Sequence, residues 1–293
     1  MAAKAWKGTT YGNGWMHKWL VRMLKVMDVR ILYVFSAVFV LPFFMLFNKG
    51  AGHVRRMYRE QMGLSRTAAW FKSFANLNKF SQAVIDKFAM YAGKRFTLDI
   101  VGYESFKVLA ERPEGFVQLS SHIGNYEIAG YTLVASQKRL NAVVFAGEKV
   151  SVMESRQKMF SGTNVNMIPI REDMSHLFLI DKALSDGETV SIPADRVFGS
   201  PKVLKSSFLG KEARFPAGPF SVAAMRGLDV ICINVLKTAA KAYRIYVTPL
   251  SYDKEAPRKT QLQQLAGGYC AELERLVKEY PTQWYNYFDF WAQ

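Results

Sequence analysis

Gly115-Phe116-Val117-Gln118-Leu119-Ser120-Ser121-His122-Ile123-Gly124-Asn125-Tyr126-Glu127 is an apolar run that ends in polar residues and a glycine. Five residues with two bulky apolar side chains and a leucine predict a buried strand over Gly115–Ser121. The strand delivers His122 to its carboxyl end, Gly124 and Asn125 break it, and a helix is expected from Tyr126 to Ser136. Ligands of open α/β sheets bind at the carboxyl ends of strands. A histidine placed there, five residues before Glu127, is a candidate general base with an acid to orient it. On a straight helix such a pair would point about 140° apart, so the pairing needs the loop that Gly124 supplies.

Spacing alone decides little. Four histidines among 24 acidic residues produce one such match by chance in about one chain in three. His176 and Asp181 form a second match, inside the glycine-free helical stretch Met174–Ser185. There the two polar groups should diverge, and His176 reads as a surface residue.

Working outward, further strands are expected at Thr97–Gly102, Leu140–Ala146, Asn166–Ile170, Glu188–Ala194, Val230–Thr238 and Ala242–Leu250. Helices are expected at Glu104–Glu111, Val150–Phe160 and Met174–Ser185. This alternation predicts an α/β fold, a largely parallel mixed sheet flanked by helices. Leucines 262, 265, 273 and 276 mark a last long helix, which Pro281 stops. The closing Gln283–Trp291 is too aromatic for a free tail and should pack on the core or meet lipid.

The amino-terminal quarter has another character. Lys4, Trp6, Lys7, Trp15, Lys18, Trp19, Arg22 and Lys25 have the composition of a membrane-interface anchor. Ile31–Phe47 carries no charge and spans about 25 Å as a helix, against about 30 Å of bilayer hydrocarbon. It is expected to be a membrane-embedded helix, spanning or re-entrant, bent by Pro42. Ser65 should cap a long helix to Tyr91, with a core-packing stripe through Trp70, Phe74, Leu77, Val84 and Phe88. A boundary near Gly63 divides a membrane-directed segment, residues 1–62, from an α/β domain, residues 63–293.

Thirty-nine basic against 24 acidic residues give a net charge of +15, which calls for an anionic partner. Nucleic acid fits poorly, because no helix carries a basic recognition stripe. Cys232 and Cys270 match neither a disulfide framework nor a metal site, so a reducing compartment and no metal are expected.

Three other stretches carry candidates for the same crevice. Asn166–Arg171 ends a strand on Arg171, and Ser191–Arg196 ends one on Asp195 and Arg196. Phe208–Pro219, with Gly218, reads as a turn before a helix from Phe220. Arginine suits recognition of phosphate or carboxylate. The apolar Val203–Leu209 fits an acyl groove and plain strand packing equally.

His-x4-Glu, then Ile-Pro-Ile-Arg, then Asp-Arg, then Phe-Pro-x-Gly-Pro, in that order, resemble the lysophospholipid acyltransferase superfamily. The closer likeness is to its bacterial lipid A (late) acyltransferase branch, and Pro281-Thr282-Gln283-Trp284 is similar to that branch's closing motif. The form His-x-Gly-Asn-aromatic-acid resembles relatives that acylate glycolipids. The resemblance implies a glycerolipid acyltransferase-like fold on the cytoplasmic face of the bacterial inner membrane. It implies His122 as general base, Glu127 holding its tautomer, and no enzyme nucleophile. Gly124, Asn125, Arg171, Asp195, Arg196 and Gly218 become substrate-binding candidates, with the amides of Gly124 and Asn125 or the two arginines as oxyanion donors. The residue after the acid is commonly Gln in that branch and is Arg196 here. No cofactor is implied. The co-substrate would be a thioester of acyl carrier protein or coenzyme A, the acceptor a lipid or glycolipid, and the charge would face anionic membrane lipid or the acidic carrier. A lipid-binding protein without catalysis, and an esterase using the same crevice, are the other readings; no Gly-x-Ser-x-Gly elbow is present.

Overall fold

The computed structural model describes residues 14–129, 133, 138–145, 163–171, 173–197 and 202–293. Seven strands form one sheet in the order β1-β9-β8-β2-β5-β3-β4. They are β1 (Thr97–Val101), β2 (Phe116–Gly124), β3 (Leu140–Phe145), β4 (Val165–Ile170), β5 (Thr189–Pro193), β8 (Val230–Ala239) and β9 (Ala242–Leu250). β2 pairs in parallel with β5 and β8, and β3 pairs in parallel with β4 and β5. Within this sheet, among the described residues, the β8–β9 pair alone is antiparallel, so β9 and its parallel partner β1 run against the rest. The expected mixed, largely parallel sheet is present.

The period of two along β2 and β8 decides the layers. Val117, Leu119, Val230, Cys232 and Leu236 enter the larger core with Leu265, Tyr269, Leu273 and Leu276. Those partners lie on the last long helix, α9 (Arg258–Glu279), and α8 (Ala217–Met225) packs beside it. Phe116, Ile231, Ile233 and Val235 turn to the other face and meet Phe106 of α6 (Tyr103–Glu111). A central strand such as β2, buried on both faces, reads as a continuous apolar run.

Two expectations change. Lys211–Pro216, read as part of a turn, is strand β7, and it pairs antiparallel with β6 (Val203–Phe208). Leu209 and Gly210, both at positive φ, make the two-residue hairpin turn that matches strand twist. Phe208 is fully buried against Phe215, Trp284, Phe290 and Trp291, so this end of Val203–Leu209 is packing. His176, on α7 (Ser175–Ser185), is buried and not a surface residue: its Nδ1 accepts the Arg171 N–H at 3.2 Å. Its divergence from Asp181 holds, since Asp181 pairs with Arg226. The expected helix at 150–160, and that at 126–136 beyond a 3-10 turn at Tyr126–Ile128, lie outside the described residues.

The amino-terminal helices α1 (Gly14–Val26), α2 (Val29–Phe35), α3 (Leu41–Phe47) and α4 (Lys49–Glu60) pack on α5 (Arg66–Tyr91). Pro42 lacks an N–H, and the turn before it, Ser36–Val40, widens to π geometry. Val29–Phe47 is long and apolar enough to cross a membrane, and only 28% of its most apolar window is buried. Tyr33, Leu41 and Met45 face α5, while Val34, Phe35, Val38, Phe39, Phe43, Leu46 and Phe47 face outward.

Candidate active site

His122 sits where β2 parts from β8. Between Ser120 and Gly124 the strand advances four residues while β8 advances from Ile233 to Val235, and this bulge re-aims the histidine. The strand therefore runs to Gly124 instead of ending at Ser121. Gly124 adopts φ +61, and a Cβ there would lie 1.8 Å from the carbonyl oxygen of Val235. No other residue fits.

The freed edge of β2 takes a new partner, the closing segment. Gly124 N–H donates to Gln283 C=O at 2.7 Å and Tyr285 N–H donates to His122 C=O at 3.0 Å. Between them Ile123 bridges the buried Trp284. The Gln283 side chain accepts from Lys237 N–H and donates to Lys237 C=O, both at 2.8 Å, as a strand would. The aromatic ending packs on the core, one of its two expected fates.

Asp195, just past β5, meets His122 twice. Oδ2 accepts the His122 backbone N–H at 2.9 Å, and Oδ1 lies 2.7 Å from the imidazole Nδ1. The Asp195 side chain is 2% exposed and that of His122 is 21% exposed. Burial alone would raise the carboxyl, yet the imidazole, its hydrogen bond and Arg196 hold it below the usual range. Burial and the Arg196 charge push the imidazole below its usual value, against the pull of Asp195. An ionised carboxylate at Nδ1 makes Nδ1 the protonated nitrogen and leaves the lone pair on Nε2. That is the tautomer of a general base. Tyr126 stands edge-on to the imidazole at 5.8 Å.

The carboxylate at Nδ1 is thus Asp195, where Glu127 was expected. Glu127 is buried on the 3-10 turn after Gly124 and accepts from Lys87 at 2.6 Å and Tyr91 at 3.0 Å, both on α5. The amides of Gly124 and Asn125 do not serve as oxyanion donors, because Gln283 C=O and Val235 C=O take them. Both residues shape the bulge, and Asn125 also donates its side chain to Ala83 C=O at 3.3 Å. Arg196 is close at hand: it donates to Tyr285 C=O at 2.8 Å and lies over the Phe288 ring. Arg171 ends β4, three strands from β2, about 14 Å away at ordinary strand spacing. It is exposed, as is Gly218 in the first turn of α8. Among the described residues neither takes part in the His122 hydrogen bonds.

Both cysteines are buried. Burial pushes the Cys270 thiol up to about 11 and that of Cys232 higher still, so neither offers a thiolate at neutral pH. Among the described residues no three His, Cys, Asp or Glu side chains are grouped to hold a metal ion.

The model of the bacterial lipid A biosynthesis acyltransferase family matches residues 90–291. The chain belongs to that family. No curated protein matches the chain. Among solved structures it is similar to the 1-acyl-sn-glycerophosphate (LPA) acyltransferase PlsC from Thermotoga maritima. Identity is 13% over 92% of this chain and 99% of that one, at a TM-score of 0.40. Membership makes the protein an acyltransferase of lipid biosynthesis.

Proposed function

We propose that the protein is a membrane-associated acyltransferase. It moves a fatty acyl chain from a thioester of acyl carrier protein or coenzyme A to a hydroxyl or amine of a lipid or glycolipid. The observation that carries this reading is the 2.7 Å contact between Asp195 and His122 Nδ1, at the carboxyl end of the central strand.

Nε2 takes the acceptor's proton as its oxygen or nitrogen bonds to the thioester carbonyl carbon. The tetrahedral oxyanion then collapses, the carbon–sulfur bond breaks, and the imidazolium returns the proton to the departing thiolate. Asp195 stabilises the imidazolium and fixes its tautomer. Arg196 supplies positive charge for the oxyanion or for donor or acceptor phosphate. No protein nucleophile is needed, in keeping with two buried thiols.

The outward face of Val29–Phe47 supports a membrane seat. Phe39 is 69% and Leu46 78% exposed, and Trp15 and Trp19 stack at 6.5 Å on the adjoining α1. Exposed apolar surface of this extent marks a partner surface, and Trp beside Lys18, Arg22 and Lys25 suits an anionic lipid interface. We place the protein at the cytoplasmic face of the bacterial inner membrane.

Lipid mass spectrometry of cells with and without the gene tests the reading. One acylated lipid should vanish and return with wild type but not with His122→Ala. Its return with His122→Ala would show that His122 is not the base of the transfer.

A further inference from the structure

Asn76 of α5 lies outside the matched family region and touches none of the reacting groups. It is fully buried, and its side-chain amide makes three hydrogen bonds to the closing segment. Nδ2 donates to Thr282 C=O at 3.1 Å and to Trp284 C=O at 2.9 Å, and Oδ1 accepts the Tyr287 hydroxyl at 3.0 Å. That segment is the edge partner of the bulge. Between the two carbonyls that Asn76 grips, Gln283 C=O holds Gly124; one residue beyond, Tyr285 holds His122 C=O and Arg196. From α4, the Tyr58 hydroxyl donates to Pro281 C=O at 2.7 Å. Gly50 lies so close to Tyr287 that a Cβ would meet it at 2.9 Å. The neighbouring Leu77 and Phe74 pack against Leu41, Met45 and Phe44 of α3.

We infer that Asn76 is a positioning residue for the acyl-transfer reaction: through residues 282–285 it sets the backbone of His122 and the place of Arg196. The inference rests on the reading of His122 as base. The geometry explains why an amide is required. Two carbonyls need donors and a hydroxyl needs an acceptor, and only Asn or Gln offers both on one planar group. Asparagine fits the short reach from the helix. The bulge frees this edge of β2 from β8, so the closing segment is what fixes His122 on this side. An ångström of drift in a catalytic group costs about a hundredfold in rate.

The test is steady-state kinetics of palmitoyl transfer from its coenzyme A and carrier-protein thioesters to a total bacterial lipid extract. Wild type, Asn76→Asp, Tyr58→Phe, Ser73→Ala and His122→Ala are compared, with circular dichroism to confirm folding. Asn76→Asp keeps the shape and loses both donors. Expected is a fall in kcat of about a hundredfold, with KM within about twofold. Tyr58→Phe, which removes one hydroxyl from the same segment, should lower kcat about fivefold. Ser73→Ala, which removes a hydroxyl that donates to Ala69 C=O of its own helix, should match wild type. A folded Asn76→Asp protein with wild-type kcat overturns the inference, as does unchanged kcat in Tyr58→Phe should Asn76→Asp fail to fold. His122→Ala separates the two claims. If it is as active as wild type, the underlying reading falls; if it is dead beside a wild-type-like Asn76→Asp, this inference alone falls.

Discussion

Asp195 holds His122 by both carboxylate oxygens, one on the backbone N–H and one on the imidazole, across 73 residues of sequence. The same acid thus fixes the strand and the ring. Removing its charge should do more than weaken one hydrogen bond. Asp195→Asn should lower kcat by about 10²–10⁴. Glu127→Gln should cost less, because Glu127 anchors its turn to Lys87 and Tyr91. Parallel kcat values for the two variants check the ranking.

The pH dependence follows from the direction of the imidazole shift. Burial and Arg196 place it below its ordinary value of about 6.5. The base is therefore neutral and active at pH 7, and the rate falls only as acid protonates it. Asp195 opposes that shift, so Asp195→Asn should carry the acid limb of the pH–rate profile to still lower pH. A limb that moves to higher pH would contradict this electrostatic account.

Gly124→Ala should unfold the site. It places a methyl group 1.8 Å from Val235 C=O at a φ that costs about 1–2 kcal/mol. A total loss of about 3 kcal/mol or more is expected by denaturant titration.

The buried pair Asp86–Lys237 ties α5 to β8, with Tyr33 of α2 and Tyr243 of β9 donating to the same carboxylate. Lys237 also donates to Tyr33 and to Ala240 C=O, each at 3.0 Å. Lys237→Met leaves Asp86 buried without its cation and should cost about 3–5 kcal/mol, read as a fall in the unfolding midpoint.

Charges placed on the outward face test the membrane seat. Phe39→Glu with Leu46→Glu should abolish flotation with anionic vesicles while leaving circular dichroism unchanged, since neither side chain packs inside the protein.

The strands of the seven-stranded sheet were legible because most are apolar runs bounded by polar residues, and β9 spans the expected residues. The Ser65 cap was no less clear: its hydroxyl accepts Ala68 N–H. What could not be read was long-range pairing. Glu127 stood five residues from His122 and Asp195 stood 73, yet a β2–β5 neighbour relation brings the distant acid to the ring. The hairpin β6–β7 was hidden because Lys211–Pro216 has charges on its outer face and turns through Leu209, an unusual residue at positive φ. The aromatic content of the closing segment excluded a free tail and left core packing and lipid contact both open. That it doubles as the edge partner of the histidine strand had no local signal.

The most direct measurement of the account is the acyl-transfer rate of purified, folded His122→Ala protein with a thioester donor and acceptor lipid. Transfer should fall to the background seen without protein. Transfer at the wild-type rate would show that the imidazole beside Asp195 is not the base.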